Sequence, residues 1–114
     1  MSEDQLQQQI VIYFRNEYQR HGKGFIFSVP NGGSRNPLEA KKLKATGATA
    51  GVSDLIVLLP NKKTLFVELK IEKGIQSDSQ KEFENRVEYL GYKYRLIRSL
   101  EDFKLLISSD YGDY

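Results

Sequence analysis

An aspartate at the start of one hydrophobic strand and a Glu-x-Lys triplet in the next form a set that can hold a metal ion and face an anion. The residues are Asp54, Glu68 and Lys70. Glu68 and Lys70 stand two apart in the run Thr64 to Lys70, so in a strand they share one face while Leu65, Val67 and Leu69 share the other. The run Asp54 to Leu59 precedes it across Pro60-Asn61-Lys62-Lys63, a turn sequence, so the two runs read as a β-hairpin. If Leu59 pairs with Thr64, Asp54 lies opposite Leu69 and within one residue of both Glu68 and Lys70. Two carboxylates held together repel unless a cation lies between them. A divalent metal taking oxygen from Asp54, Glu68 and a backbone carbonyl would supply that cation, and Lys70 would face the anion it binds.

Other chemistry is excluded by composition. The 114 residues contain no cysteine and one histidine, His21. That removes a thiol nucleophile, a disulfide scaffold and a cysteine zinc site, and leaves oxygen ligands that suit magnesium, manganese or calcium. His21 follows the first helix and reads as a cap or solvent group. No apolar run approaches the roughly 20 residues that cross a bilayer, so no membrane partner is expected. The acidic, glutamine-rich start, Met1 to Gln9, does not fit a signal peptide, and a cytoplasmic location is expected. The whole chain, 1–114, reads as one domain, with 108–114 expected to fray.

The net charge is only +2, but between His21 and Ser53 the basic residues Lys23, Arg35, Lys41, Lys42 and Lys44 face a single acid, Glu39. A basic segment on a near-neutral domain suits a polyanion-facing surface, and a solvated helix face explains it equally simply. Asn31-Gly32-Gly33-Ser34 reads as a loop whose amides either meet a phosphate or merely precede a helix.

The elements that position these residues follow from periodicity and punctuation. Leu6, Ile10, Tyr13, Phe14 and Tyr18 recur at helical spacing near 3–20, closed by Gly22 and Gly24. Phe25, Phe27 and Val29 alternate as a strand that Pro30 stops. Asn36-Pro37-Leu38-Glu39 begins a short helix that Gly47 closes. Ser77-Asp78-Ser79-Gln80, and Ser79 with Glu82, begin another through Phe83, Val87 and Leu90, ended by Gly91. Tyr92 to Ile97 is a strand. Ser99 caps a last helix with Leu100, Phe103, Leu106 and Ile107 facing inward. The order α-β-α-β-β-α-β-α predicts an α/β (α+β) fold, a mixed sheet flanked by helices.

Glu-x-Lys alone carries little, since Glu39-Ala40-Lys41 repeats it on a helix. A longer pattern carries more: Glu3-x-x-Leu6-Gln7, Asn31-Gly32, Arg35, the run Gly47-Ala48-Thr49-Ala50-Gly51-Val52-Ser53-Asp54-Leu55, then Val67-Glu68-Leu69-Lys70 and Ser77-x-x-Gln80. Over nearly its whole length the chain resembles the virus-type replication-repair nuclease (VRR-NUC) domain of the PD-(D/E)XK, restriction-endonuclease-like superfamily, in its stand-alone phage or bacterial form. Ser53 departs from the proline that many members carry there.

The resemblance implies a magnesium- or manganese-dependent endodeoxyribonuclease. It implies metal held by Asp54, Glu68 and the Leu69 carbonyl, with Glu3 approaching from the first helix, directly or through water. It implies that Lys70 orients the attacking water or offsets charge on the phosphate, and that Gln80 hydrogen-bonds near the site. Arg35, Lys41, Lys42 and Lys44, with Asn31 and Gly32, are the expected DNA contacts. Branched DNA, such as four-way junctions or flaps, is the expected substrate. Two competing readings are a nucleic-acid-binding module of the same fold without activity, and a small interaction protein whose edge strands carry charges against aggregation. A homodimer is expected from the two-fold symmetry of a junction and from the 13 aromatic residues, with the first helix and Tyr92 to Leu96 as candidate surfaces.

Overall fold

Ser2 starts the first helix by accepting from the Gln5 N–H, while the Gln5 side chain accepts from the Ser2 N–H, a reciprocal cap. The computed structural model describes residues 1–30 and 36–111, with side chains through 109. Helix α1 spans Glu3–Glu17, and one 3-10 turn, Gln19–His21, follows it. Gly22 then adopts φ +71, a left-handed exit that glycine allows without strain. Strand β1 is Phe25–Ser28, α2 is Pro37–Ala45, β2 is Leu55–Leu59 and β3 is Lys63–Leu69. Helix α3 spans Asp78–Tyr89, β4 spans Lys93–Ile97 and α4 spans Leu100–Tyr111. This is the predicted element order, with the 3-10 turn added. The last helix runs on through Ser108 and Ser109, where the sequence reading expects fraying.

The four strands form one mixed sheet in the order β1-β2-β3-β4. The first three are antiparallel neighbours; β4 runs parallel to β3, and α3 makes the crossover between them. One face of the sheet presents Ile26, Leu55, Val57, Leu65, Val67 and Leu69 to Leu6, Ile10 and Phe14 of α1 and to Phe103 and Ile107 of α4. All are buried, and burial of this kind contributes about 1.5–3 kcal/mol per large apolar side chain. The opposite face carries Phe66, Glu68 and Tyr94. Phe66 meets Phe83 of α3 edge-on at 5.6 Å and Tyr92 at 5.8 Å, so α3 covers this face.

In β1, Ile26 enters the core and Phe25 is half exposed. One local expectation is corrected. In the hairpin Leu59 pairs with Lys63, not Thr64, because Asn61 and Lys62 both take positive φ and close a tighter loop. The shift by one residue places Asp54 in line with Glu68, not with Leu69, and so puts both carboxylates on one face.

Candidate metal centre

Asp54 immediately precedes β2, and the chain around it is held by three hydrogen bonds. Its carbonyl accepts from the Val29 N–H at 3.1 Å, which ties it to the end of β1. Ser53, fully buried, donates its hydroxyl to the Leu55 carbonyl at 3.2 Å, making by side chain the bend for which a proline would supply a fixed φ. The Asp54 carboxylate then turns across the hairpin, where Oδ2 accepts from the Leu69 N–H at 2.8 Å.

Glu68 lies beside it, 1% exposed in the covered face of the sheet. Its Oε2 accepts from Gln80 Nε2 at 3.1 Å, but its Oε1 is buried with no hydrogen-bond partner among the described residues. Burial, first, and then the negative charge of the neighbouring Asp54 raise the Glu68 carboxyl from its ordinary 4.5 to about 8. The Lys70 charge pulls the other way, and Glu3 adds a smaller upward push. An unpaired buried carboxylate oxygen next to a second carboxylate is costly without a cation. The arrangement therefore fits a hard divalent ion with oxygen ligands. Among the described residues, no group of three or more His, Cys, Asp and Glu side chains gathers round one point. The described carboxylates that meet there are Asp54 and Glu68.

Lys70 follows β3 directly, half-buried, on the strand face that Glu68 uses. Its N–H donates to the Ile97 carbonyl at 3.1 Å, so the β3–β4 ladder continues one step past Leu69 and holds Lys70 at the sheet's edge of the site. Glu3 opens α1 and is exposed; it reaches the pair through its charge. Leu69 is buried, with its N–H committed to Asp54.

Gln80 serves two elements at once. As the third residue of α3 its side-chain oxygen accepts from the Ser77 N–H at 2.8 Å, while Ser77 Oγ accepts from the Gln80 N–H at 3.2 Å. Its amide nitrogen is then aimed at Glu68. Of the two capping patterns in the sequence, the Ser77–Gln80 pair forms the box.

A cavity of about 630 Å³ opens at Gln80, lined also by Leu43 and Lys44 of α2, by 47–52 and by Ser77 and Ser79. Helix α2 is capped by Asn36, which accepts from the Leu38 and Glu39 N–H groups, and it buries none of its residues. Lys41 and Lys42 are exposed on it, and Lys44 reaches the cavity. The expected contacts Asn31, Gly32 and Arg35 lie outside the described residues. Sequence reading missed the polar cluster beneath α3, where Gln76 Nε2 donates to Glu84 Oε1 at 3.0 Å and to the buried Tyr94 hydroxyl at 3.1 Å. A lone glutamine in a polar loop gives no sequence signal of that role. Tyr89, at the end of α3, is 91% exposed.

A family model described as the VRR-NUC domain matches residues 2–101. A solved structure titled "VRR_NUC domain protein" aligns with a TM-score of 0.74 at 20% identity, covering 96% of this chain and 87% of that one. A second, titled "VRR_NUC domain", aligns with a TM-score of 0.61 at 21% identity, covering 88% and 91%. At these identities the likeness establishes the fold. No curated protein matches the sequence.

Proposed function

The chain belongs to the VRR-NUC family, a family of nucleases, and from that premise we propose that it is a divalent-metal-dependent endonuclease that hydrolyses phosphodiester bonds in DNA, with Asp54 and Glu68 as its metal-binding carboxylates. The observation that carries the assignment is Glu68 Oε1: a buried carboxylate oxygen with no partner among the described residues, in a protein that keeps Asp54 beside it. Bound Mg²⁺ or Mn²⁺ offsets negative charge at the phosphate and makes a water molecule a better nucleophile.

The remaining work is done by the chain. Asp54 is oriented by the Leu69 N–H, and the Leu69 carbonyl and Glu3, directly or through water, complete the ligand set. Lys70 faces the phosphate, where its ammonium orients the attacking water and offsets charge growing on the phosphoryl oxygens. Gln80 holds Glu68 Oε2, leaving Oε1 for the metal. Arg35, Lys41, Lys42 and Lys44, with Asn31 and Gly32, contact the DNA backbone. Helix α2 suits this task because none of its residues is buried and it ends at the cavity beside Gln80.

We read 1–114 as one nuclease domain acting on branched DNA in the cytoplasm of a bacterial or phage-infected cell. Two copies related by a two-fold axis would place two sites on a junction. Phe25 and Leu58, cross-strand partners on β1 and β2, are 50% and 39% exposed and offer an apolar surface for pairing. Tyr94 is 1% exposed, so within the Tyr92 to Leu96 surface proposed from sequence the exposed residues are Tyr92 and Arg95. Cleavage of labelled four-way junction, flap, single-strand and duplex DNA with magnesium or manganese tests the function. Metal-dependent cuts that favour branched substrates support it. DNA binding without cleavage in either metal supports an inactive module instead. Light scattering at micromolar concentration tests the dimer, and a mass near 13 kDa with full junction cutting contradicts it.

A further inference from the structure

We infer that Gly51 is a positioning residue for the carboxylate pair: the first turn of α3 sits directly on its bare Cα, and that seat holds the Gln80 amide against Glu68. The inference rests on the proposed metal site and adds a residue to the structure that supports it.

Gly51 is buried and has φ +81, three residues before Asp54. A Cβ placed there would collide with the backbone carbonyl of Ser79 and would lie 2.7 Å from the Gln80 nitrogen. These are backbone atoms of a capped helix turn, so no side chain can swing aside. The neighbouring left-handed glycines differ. Gly22, at φ +71, and Gly47, at φ +109, have nothing among the described residues within 4 Å of such a Cβ. Gly51 alone of these three is required by both the backbone angle and a close approach.

The contact joins the two segments that flank Glu68. On one side, the chain from Gly51 leads through the buried Ser53 to Asp54. On the other, Gln80 donates to Glu68 Oε2 at 3.1 Å. Gln80 has little freedom, because its oxygen is engaged by the Ser77 N–H. A helix turn pushed outward by one methyl group therefore carries the Gln80 amide away from Glu68. Hydrogen-bonded groups behind a metal ligand are typically worth about 10–100-fold in metal affinity.

The test is a cycle of variants read by two methods. Titration calorimetry gives Mn²⁺ affinity, and the side-chain amide resonance of Gln80 in ¹H–¹⁵N spectra of metal-free protein reports its bond to Glu68. Gly51→Ala should weaken Mn²⁺ binding about tenfold or more and move the Gln80 resonance to a solvent-like position. Gln80→Ala should weaken binding similarly, and the double variant should be little worse than either, since all three lose one bond. Gly22→Ala carries the same kind of backbone strain without the seat and should leave both readouts unchanged. Additive losses in the cycle, or an unmoved Gln80 resonance in folded Gly51→Ala protein, overturn the inference. If Gly51→Ala does not fold, Ser77→Ala loosens the same turn from its cap, and wild-type Mn²⁺ affinity and resonance there overturn it. Should wild-type protein bind no Mn²⁺, the metal reading fails, and the metal-free Gln80 resonance still decides the role of Gly51.

Discussion

Asp54 accepts the Leu69 backbone N–H across the hairpin at 2.8 Å, and this bond sets a charged side chain beside the buried Glu68. A carboxylate oriented by the backbone of its partner strand cannot relax away from the second carboxylate. The repulsion is therefore built into the register of β2 and β3, and in the absence of a cation it appears as a retained proton on Glu68.

That proton makes stability depend on pH. Glu68 titrates near 8 in the fold, against an ordinary value of 4.5. Between those values the folded chain holds a proton that the unfolded chain has lost, so metal-free stability should fall as pH rises through this window. Glu68→Gln removes the effect. Its melting temperature in chelator should exceed wild type at about pH 8.5, by several degrees, with the gap closing toward about pH 4.5. Thermal melts across pH check this; parallel wild-type and variant curves would contradict it.

Metal affinity follows from the same linkage. A divalent ion must displace the Glu68 proton below about pH 8, so Mn²⁺ affinity should rise with pH up to that point. Calorimetric titrations at about pH 6, 7 and 8 measure it. In Glu68→Gln the pH dependence should disappear together with most of the affinity.

Lys70→Ala should separate binding from turnover. Its ammonium is proposed to act at the phosphate, so cleavage at saturating metal should drop by about a hundredfold or more while Mn²⁺ still binds. Reduced metal affinity with unchanged turnover at saturating metal would assign Lys70 to the metal site instead.

Charge removal on α2 should reveal the DNA path. Lys42→Ala with Lys44→Ala should weaken binding to all sequences alike and flatten the salt dependence by about one unit for each phosphate that is no longer neutralised. Adding Arg35→Ala extends the series by one step. Filter-binding or anisotropy titrations from about 50 to 200 mM salt (roughly a hundredfold range for four phosphate contacts) give the slope. A slope unchanged in the triple variant would place the DNA elsewhere.

Much of this fold can be read from particular residues. Asn36-Pro37 and Ser77 with Gln80 mark helix starts, because capping is a local event between neighbours. The hairpin follows from two apolar runs about a turn sequence. Its register does not, because Asn61 and Lys62 adopt positive φ and shorten the loop by one pairing step. The inward face of β1 is not legible either: Ile26 and Phe27 are both apolar, and only the surrounding sheet decides which enters the core. Asp54, Glu68, Lys70 and Gln80 are visible as residue types at familiar spacing. The burial of Glu68 is not, since Gln80 reaches it from a helix that begins only at Asp78, and Phe83 of that helix covers the same sheet face. Gly51 is visible as a glycine, but its reason is an atom-scale approach of α3 that no spacing encodes.

The central claim is that Asp54 and Glu68 form a metal-dependent nuclease centre. The most direct measurement is cleavage of end-labelled branched DNA by wild-type and Asp54→Asn proteins, in Mg²⁺ or Mn²⁺ and in chelator, with melting curves confirming that both are folded. The account predicts metal-dependent strand cuts by wild type, none in chelator, and none by a folded Asp54→Asn protein that still binds DNA. Normal cleavage by Asp54→Asn would contradict it.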